Sequence, residues 1–573
     1  MGCEGAGLAL WQKATGACLP AGTALIALLA SCDPVFAQPS SPAQVDQRFR
    51  QRPEAPTVGA PLAIPEPQAA GTAPATDALR FTLSGFRFEG NTAIPERDLQ
   101  AMAASYLGHE ISLAQVNELA DKITALYRDH GFILSRAVVP PQRVDRGTLT
   151  IRIVEGSIDK VDIRGDAGGA TEILKAHGAR IAQQHPLTAA VLERELLLIN
   201  DLSGLQVRSV LTPSRTVLGA ADLTLVVTPR PIEGNVTFDN RGSRYLGPYE
   251  LMAGVYFNDL LGSGGRLGLN GVVTPDQGPD LAYGSVSFDQ PLTSDGLRLF
   301  STASYTDTKP GSVLRALDTR GKALNLSTSL SYPVIRSRDF NLTLSGSFAY
   351  RNVRSDNAAV SPLFSDHVRT VDAGLFLNLL DDWGGYSSLS VTLTQGLDIF
   401  GATTQASTAK SRATASGVFT RASFEASHTH PLFDGVSLTL AGGGQTAFRE
   451  SLLASEQYAL GGYAFNRAFD PSEVTGDAAI AGRAEVQWIA VERFLALSNI
   501  APYGFYEGGQ VWQSHPLPGE ARSESLFSGG AGLRFAVTSR LSADLEWAKP
   551  LGRDVAAVGN RASRFFFSVS VNF

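Results

Sequence analysis

From residue 232 onward one pattern dominates the chain: apolar and small polar residues alternate one for one in segments of roughly ten residues. Phe340, Leu342, Leu344, Phe348 and Tyr350 alternate with Asn341, Thr343, Ser345 and Ser347. Leu324, Leu326, Leu330 and Tyr332 do so with Asn325, Ser327, Ser329 and Ser331, and Leu541, Ala543, Leu545 and Trp547 with Ser542, Asp544 and Glu546. A period of two predicts strands with one apolar and one polar face. A soluble sandwich alternates as well. Here, however, the polar face is mostly small and uncharged, the apolar face ends in aromatics, and the pattern persists throughout. Those are the requirements of a transmembrane barrel with lipid outside and water inside.

Turn signals set the number of strands. Short turns are predicted at Asn258 to Gly265, Ser294 to Gly296, Ser337 to Asp339, Asp381 to Gly385, Phe433 to Gly435, Glu492 to Asn499 and Thr538 to Arg540, with longer polar excursions between them. Alternating short turns and long loops in this way implies an all-β transmembrane barrel of about 16 antiparallel strands. The final segment alternates Phe565, Phe567, Val569, Val571 and Phe573.

Upstream the period changes. Residues 81 to 91 read as a strand, and two helical stretches follow. In the second, Ser112 and Gln115 form a capping box, Leu113, Val116, Leu119, Ile123 and Leu126 share a face, and Gly131 ends it. Two further strands complete an order of β-α-α-β-β. The chain then repeats that order, with Leu192, Leu196 and Ile199 on one face of the corresponding second helix. Two tandem α+β modules follow from a repeat of ~70–75 residues. Each leaves a sheet edge open, to which an extended peptide can add as a strand.

The first residues read as a secretory leader, in which Lys13 precedes an apolar run and Val35 to Ala37 ends in the small residue of a cleavage site. The stretch Leu29 to Cys32 also resembles a bacterial lipoprotein box that would lipidate Cys32. Asp33 beside it resembles an inner-membrane retention signal, in conflict with an outer-membrane destination. Cys3, Cys18 and Cys32 are the three cysteines, so nothing beyond residue 32 supports a disulfide framework or thiolate metal site. The Pro- and Ala-rich stretch to residue 79 reads as an extended linker. Just before it, Ser41 to Arg52 forms a short helix capped by Ser41, or else a disordered tail. A net charge of −7 without a basic stretch gives no footprint for nucleic acid. No run of 18 apolar residues follows the leader, so any span must be built from strands.

These parts in this order resemble the outer-membrane transporters of two-partner secretion (type Vb), of the haemolysin and haemagglutinin secretion-activation kind within the Omp85-like superfamily. The resemblance covers essentially all of the chain after the leader. It is carried by "FEGNTAI" from Phe88, "VVPPQRVDRGTLTIRIVEG" from Val138, and "FDNRGSRYLGPYE" from Phe238. It implies a signal peptide over 1–37, a plug helix and linker over 38–79, polypeptide-transport-associated (POTRA) modules over 80–156 and 157–231, and the barrel over 232–573. Gly90, Asn91, Pro141, Gln142, Gly147, Glu155 and Gly156 carry the module motif, and Phe573 resembles the terminal aromatic read by barrel assembly machinery. The implied partners are a secreted exoprotein with an N-terminal two-partner secretion domain, outer-membrane lipid, that machinery and periplasmic chaperones, with no cofactor. The implied location is the outer membrane of a Gram-negative bacterium, with the modules in the periplasm.

The resemblance also gives a role to the sixth long loop, about Ala447 to Gly476, whose stretch "GGYAFNRAFDPSEVTG" is too aromatic for a solvated connection. In the family this loop folds into the lumen and its arginine meets an acidic residue of a Phe-x-Asp-x-Gly strand. Here Arg467, followed by Phe469, would meet Glu507 in Phe505-Tyr506-Glu507-Gly508-Gly509. Ala468 stands where the family has glycine, so a tip needing positive φ would be strained there. Glu507 replaces aspartate and adds one methylene of reach. The alternative functions are an Omp85-type assembly factor, which ordinarily carries more modules, and a passive porin, which needs neither modules nor loop. An enzyme is disfavoured because no catalytic or metal-ligating constellation is legible; His428 and His430 share one face at a strand end, as at a wet barrel rim.

Overall fold

A computed structural model of the chain describes residues 41–50 and 80–573, apart from 145, 218, 276–279, 312–314, 316–317, 495–496 and 517. The predicted leader, Cys32 and the linker over 51–79 lie outside the described residues.

Helix α1 (Pro42–Phe49) comes first. The first module contains β1 (Arg80–Thr82), β2 (Gly85–Glu89), α2 (Glu96–Ala103), β3 (Glu110–Ser112), α3 (Leu113–Asp129), β4 (Arg136–Val138) and β5 (Thr148–Val154). Central β5 runs parallel to β2 and antiparallel to β4. The pair β1–β3 is an addition to the predicted order. Ser112 and Gln115 form the expected reciprocal cap on α3, whose Val116, Leu119 and Ile123 are buried against Ile151 of β5 and its neighbours.

The second module contains β6 (Ile158–Arg164), α4 (Thr171–Gln183), α5 (Ala189–Asn200), β7 (Leu205–Pro213) and β8 (Ala221–Pro229). Central β8 is parallel to β6 and antiparallel to β7. Leu174, Leu192, Ile199, Leu223 and Leu225 form its core.

The motif residues of the first module build its turns. Gly90 has φ +88°, and a Cβ there would lie 2.4 Å from the Ile153 carbonyl oxygen. Asn91 donates to the Ile94 carbonyl at 3.3 Å. Gly147 takes φ +74° beside Ser84, and a Cβ on Gly156 would meet the Leu134 carbonyl. Pro141 cannot donate and follows the end of β4. The Gln142 amide then donates to the Thr150 carbonyl at 2.6 Å and accepts from the Thr150 N–H at 2.8 Å, filling the ladder position that β4 leaves open.

Glu155 accepts from the N–H groups of Thr92 (2.7 Å) and Ala93 (2.8 Å), from the Thr92 hydroxyl, and from the Tyr127 hydroxyl at 2.9 Å. Burial pushes this carboxyl up. The Ala93 and Thr92 donors, with Tyr127, outweigh burial and hold it below the usual carboxylate range.

Beyond the modules, 16 antiparallel strands close into a barrel. Val491–Phe494 continues the twelfth strand, Ala478–Trp488, against the same neighbour. The first strand, Ile232–Asp239, pairs with the second, Glu250–Asn258, and with the last, Arg564–Asn572, which closes the ring. Phe573 exchanges backbone hydrogen bonds with Gly234 (2.8 and 2.9 Å) and is itself exposed.

Six of the seven predicted short turns join consecutive strands, and the turn expected over Glu492 to Asn499 is mostly strand, since Val491–Phe494 and Leu497–Trp512 run into it from both sides. Leu344, Val391, Leu393, Phe424, Leu440, Leu545 and Trp547 are exposed on the outer wall, as lipid-facing positions must be, while Ser304, Asn325, Gln445 and Glu546 are buried inside.

The second module packs on the short-turn end. Arg336 forks Asp201 at 2.8 Å per bond, and Asp259 accepts from the Gly169 N–H at 2.7 Å.

Candidate functional site

The loop over 447–477 turns inward and fills one side of the lumen. Its descending and returning arms pair as a short ribbon, Tyr458–Leu460 against Val474–Gly476. The tip between them is buried around its centre, with Ala464, Phe465, Ala468 and Phe469 packed against Phe505, Tyr503 and Phe566 of the wall. Gly509 admits the ribbon, since a Cβ there would lie 2.8 Å from Leu460 and 2.9 Å from the Ile480 carbonyl oxygen.

Arg467 occupies the centre of this contact and its side chain is 0% exposed. Its backbone N–H donates to Glu507, and Nε lies 3.5 Å from the same carboxylate. Its two terminal nitrogens go elsewhere: one donates to Glu485 at 2.6 Å and the other to Glu546 at 2.9 Å. The guanidinium lies over the Phe505 ring, 3.8 Å from its centroid. The expected pair is therefore a cage of three carboxylates, drawn from the twelfth strand, the thirteenth (Leu497–Trp512) and the fifteenth (Leu541–Leu551).

The cage continues outward through further ion pairs. Arg241 bridges Glu546 and Asp544 at 2.9 Å each, Arg534 donates to Glu485 at 2.6 Å, Arg564 reaches Asp470 at 2.6 Å, and Tyr503 donates to Glu546 at 2.9 Å. Carboxylates crowded this closely repel unless cations lie between them. Removing one arginine would leave several charges buried and uncompensated.

The strain expected at Ala468 is not present there. Asn466 takes the positive φ of 67° instead, and asparagine tolerates that region far better than alanine. The tip makes its turn one residue before the arginine, so alanine in place of glycine is accommodated.

Helix α1 lies inside the barrel against the opposite wall. Arg48 forks Glu250 at 2.6 and 2.7 Å, Asp46 accepts from Ser304, and Gln47 donates to the Ser455 carbonyl in the inserted loop. Phe49 packs on Tyr283, whose hydroxyl donates to the Phe49 carbonyl at 3.0 Å. The reading of Ser41–Arg52 as a disordered tail does not hold for residues 41–50.

Sequence reasoning paired Arg467 with Glu507 alone and missed Glu485, Glu546, Arg241 and Arg534. A signal existed: Glu546 and Asp544 stand on a strand face otherwise made of small neutral residues. Register alone could place them beside the loop, and register is not readable from one sequence. Among the described residues one group of metal-ligating side chains, Asp381, His428 and His430, lies on the outer wall away from this site.

A closed barrel of 16 strands, POTRA modules on its short-turn end and a lumen occupied by an inserted loop define an outer-membrane transporter, with its modules in the periplasm. The chain belongs to the haemolysin secretion/activation protein family ShlB/FhaC/HecB, whose model matches residues 219–535, and residues 81–156 match the ShlB-type POTRA domain. It is 25% identical over 492 residues to the heme/hemopexin transporter protein HuxB of Haemophilus influenzae, covering 83% of this chain and 85% of that one. It is 26% identical to the outer membrane transporter CdiB of Dickeya dadantii, over 80% of each chain. The solved structure of CdiB from Escherichia coli shares the fold, with a TM-score of 0.70 at 22% identity over 90% of this chain and 94% of that one. These relatives are transporters and not enzymes.

Proposed function

We propose that the protein captures an unfolded exoprotein in the periplasm through its POTRA modules and passes it outward through the barrel. The observation that carries this reading is a lumen wide enough to hold two separate elements, α1 and the inserted loop, in a member of the two-partner secretion family. The cargo carries an N-terminal two-partner secretion domain. Periplasmic chaperones keep it unfolded, and the barrel assembly machinery inserts the transporter itself by way of Phe573.

The capture edge is β7. It spans Leu205–Pro213 and pairs with β8 on one side, whereas β4 is three residues long and its ladder is finished by Gln142. A free edge of that length accepts an extended segment through backbone hydrogen bonds, which tolerate varied sequence. Passage needs no nucleotide, because folding of the cargo outside makes return unfavourable. Helix α1 is the resting plug, and Arg467 holds the loop in its export-competent position.

Deleting the gene and comparing secreted and outer-membrane proteomes with the parent tests the reading. Loss of one or a few large secreted proteins with other barrels unchanged is expected. A general fall in barrel abundance would instead assign the protein to outer-membrane assembly.

A further inference from the structure

The tenth barrel strand is Thr420–Phe433. Arg421 points inward to Gln445 and the Glu456 carbonyl, while Phe424 is exposed outside. His428 and His430 share the outer face of Phe424. They stand opposite Leu440 and Leu438 of the eleventh strand, Val436–Thr446, where a lipid-facing wall ordinarily carries apolar residues on both sides. Two imidazoles there call for a physical reason.

The fourth short turn brings a third group. Asp381 Oδ1 accepts from the N–H groups of Trp383 (3.0 Å) and Gly385 (2.7 Å), which fixes the carboxylate. The two imidazole rings stack with centroids 5.8 Å apart, and His428 Nδ1 lies 2.8 Å from the Ser387 hydroxyl. One donor atom from each of Asp381, His428 and His430 lies within 4.8 Å of the others.

Gly385 supplies an independent observation. A Cβ built on it would lie 2.5 Å from Asp381 Oδ2, 2.9 Å from His428 Cε1 and 3.0 Å from His430 Nδ1. All three side chains crowd over the Gly385 Cα, so a side chain there would push them apart. Gly385 is not among the glycines with positive φ, so the space and not the backbone calls for glycine here.

We propose that Asp381, His428 and His430 bind a divalent transition metal, with zinc the best match, at the periplasmic rim of the barrel wall. Two imidazoles and one carboxylate suit zinc, copper or nickel in preference to calcium or magnesium, which favour all-oxygen shells. Three protein ligands leave a fourth position for water. The Ser387 contact occupies Nδ1 of His428 and leaves its Nε2 as the free donor, as an outer-shell partner of a metal-bound histidine does. The ion would tie the fourth turn to the tenth strand across the ninth, Tyr386–Gly396, in the interfacial layer marked by Trp383, which is 80% exposed. A histidine pair at a wet rim needs no ion; the convergence at Gly385 is what argues for one.

The test uses the full-length protein in detergent, purified through a tag without histidine, stripped with a chelator and titrated calorimetrically with zinc chloride. One zinc per chain is expected. Asp381→Asn and His430→Gln should each weaken binding about tenfold or more. His428→Gln with His430→Gln should abolish it, while His515→Gln, on the seventh loop, changes nothing. Gly385→Ala retains every ligand but pushes the three apart, and should lose zinc while still migrating as a closed barrel in unheated gels. Copper in place of zinc should show two nitrogen donors by electron paramagnetic resonance. No binding by the wild type, binding that survives the double histidine substitution, or undiminished binding by Gly385→Ala would each overturn the assignment.

Discussion

The two walls of the lumen hold their contents by different means. The wall built from the twelfth to fifteenth strands presents Glu485, Glu507, Arg534, Asp544 and Glu546 to the inserted loop. The wall of the fourth to sixth strands buries Ser285, Ser287, Thr302, Ser304, Thr306 and Asn325, with Ser304 donating to Asp46 of α1. A cage of opposed charges is rigid, because moving any one member leaves the rest buried and unpaired. A largely neutral wall holds α1 by the Arg48 fork, by hydrogen bonds and by packing of Ala43, Val45 and Phe49, without a cage of opposed charges. Eight residues are too few to stay helical in water, so α1 would lose its structure on leaving the wall. If α1 is the resting plug proposed above, one barrel contains a fixed element and a releasable one.

Arg467→Ala attacks the fixed side and has the largest expected effect. Breaking a buried ion network on one side costs about 3–5 kcal/mol. Export into the culture supernatant should fall to background while barrel insertion, followed by heat-dependent gel mobility, is unchanged. Arg467→Lys should retain part of the activity, since an ammonium cannot span three carboxylates as a guanidinium does. Normal export by the alanine variant would remove the lock from the mechanism.

The releasable side is tested by deleting Ser41–Arg52, which should raise basal conductance in planar bilayers. Arg48→Ala should do so in part, because a charge-assisted fork contributes about 1.5–3 kcal/mol. Unchanged conductance in both would mean that α1 does not obstruct the pore.

A smaller effect is expected outside the membrane. The depressed carboxyl of Glu155 stabilises the first module fully above the usual carboxylate range, and that contribution is lost as the pH falls through its own lower value. Protection at Thr92 and Ala93 in the full-length protein, taken as exchange relative to the intrinsic rate at each pH, should therefore fall in acid. In Glu155→Gln that protection should be lower at neutral pH and almost insensitive to acid. The smallest effect belongs to Glu507→Asp. Arg467 makes its shorter side-chain contacts with Glu485 and Glu546, so export should stay near wild type, whereas Glu546→Ala should be markedly worse. Equal losses would show that the cage is in practice one pair.

How far the sequence carried these conclusions depended on the range of the interactions. Alternation and turn residues are local, and they sufficed for the strand number and for the capping box of α3. The convergence of Glu485, Glu507 and Glu546 on Arg467 depends on three strands separated in the chain and on a register that no local pattern encodes. The same holds for Asp381 beside His428 and His430. Helix α1 was ambiguous because eight residues with only Val45 and Phe49 as larger apolar side chains do not reveal that a barrel wall will surround them.

The closing contact of the barrel has an all-or-none consequence. The first strand finds one of its two neighbours only when Arg564–Asn572 has been synthesised. Without that last strand the wall has two open sheet edges and no ring. A chain cut short anywhere in the barrel therefore cannot become a smaller leaky channel by the same pairing.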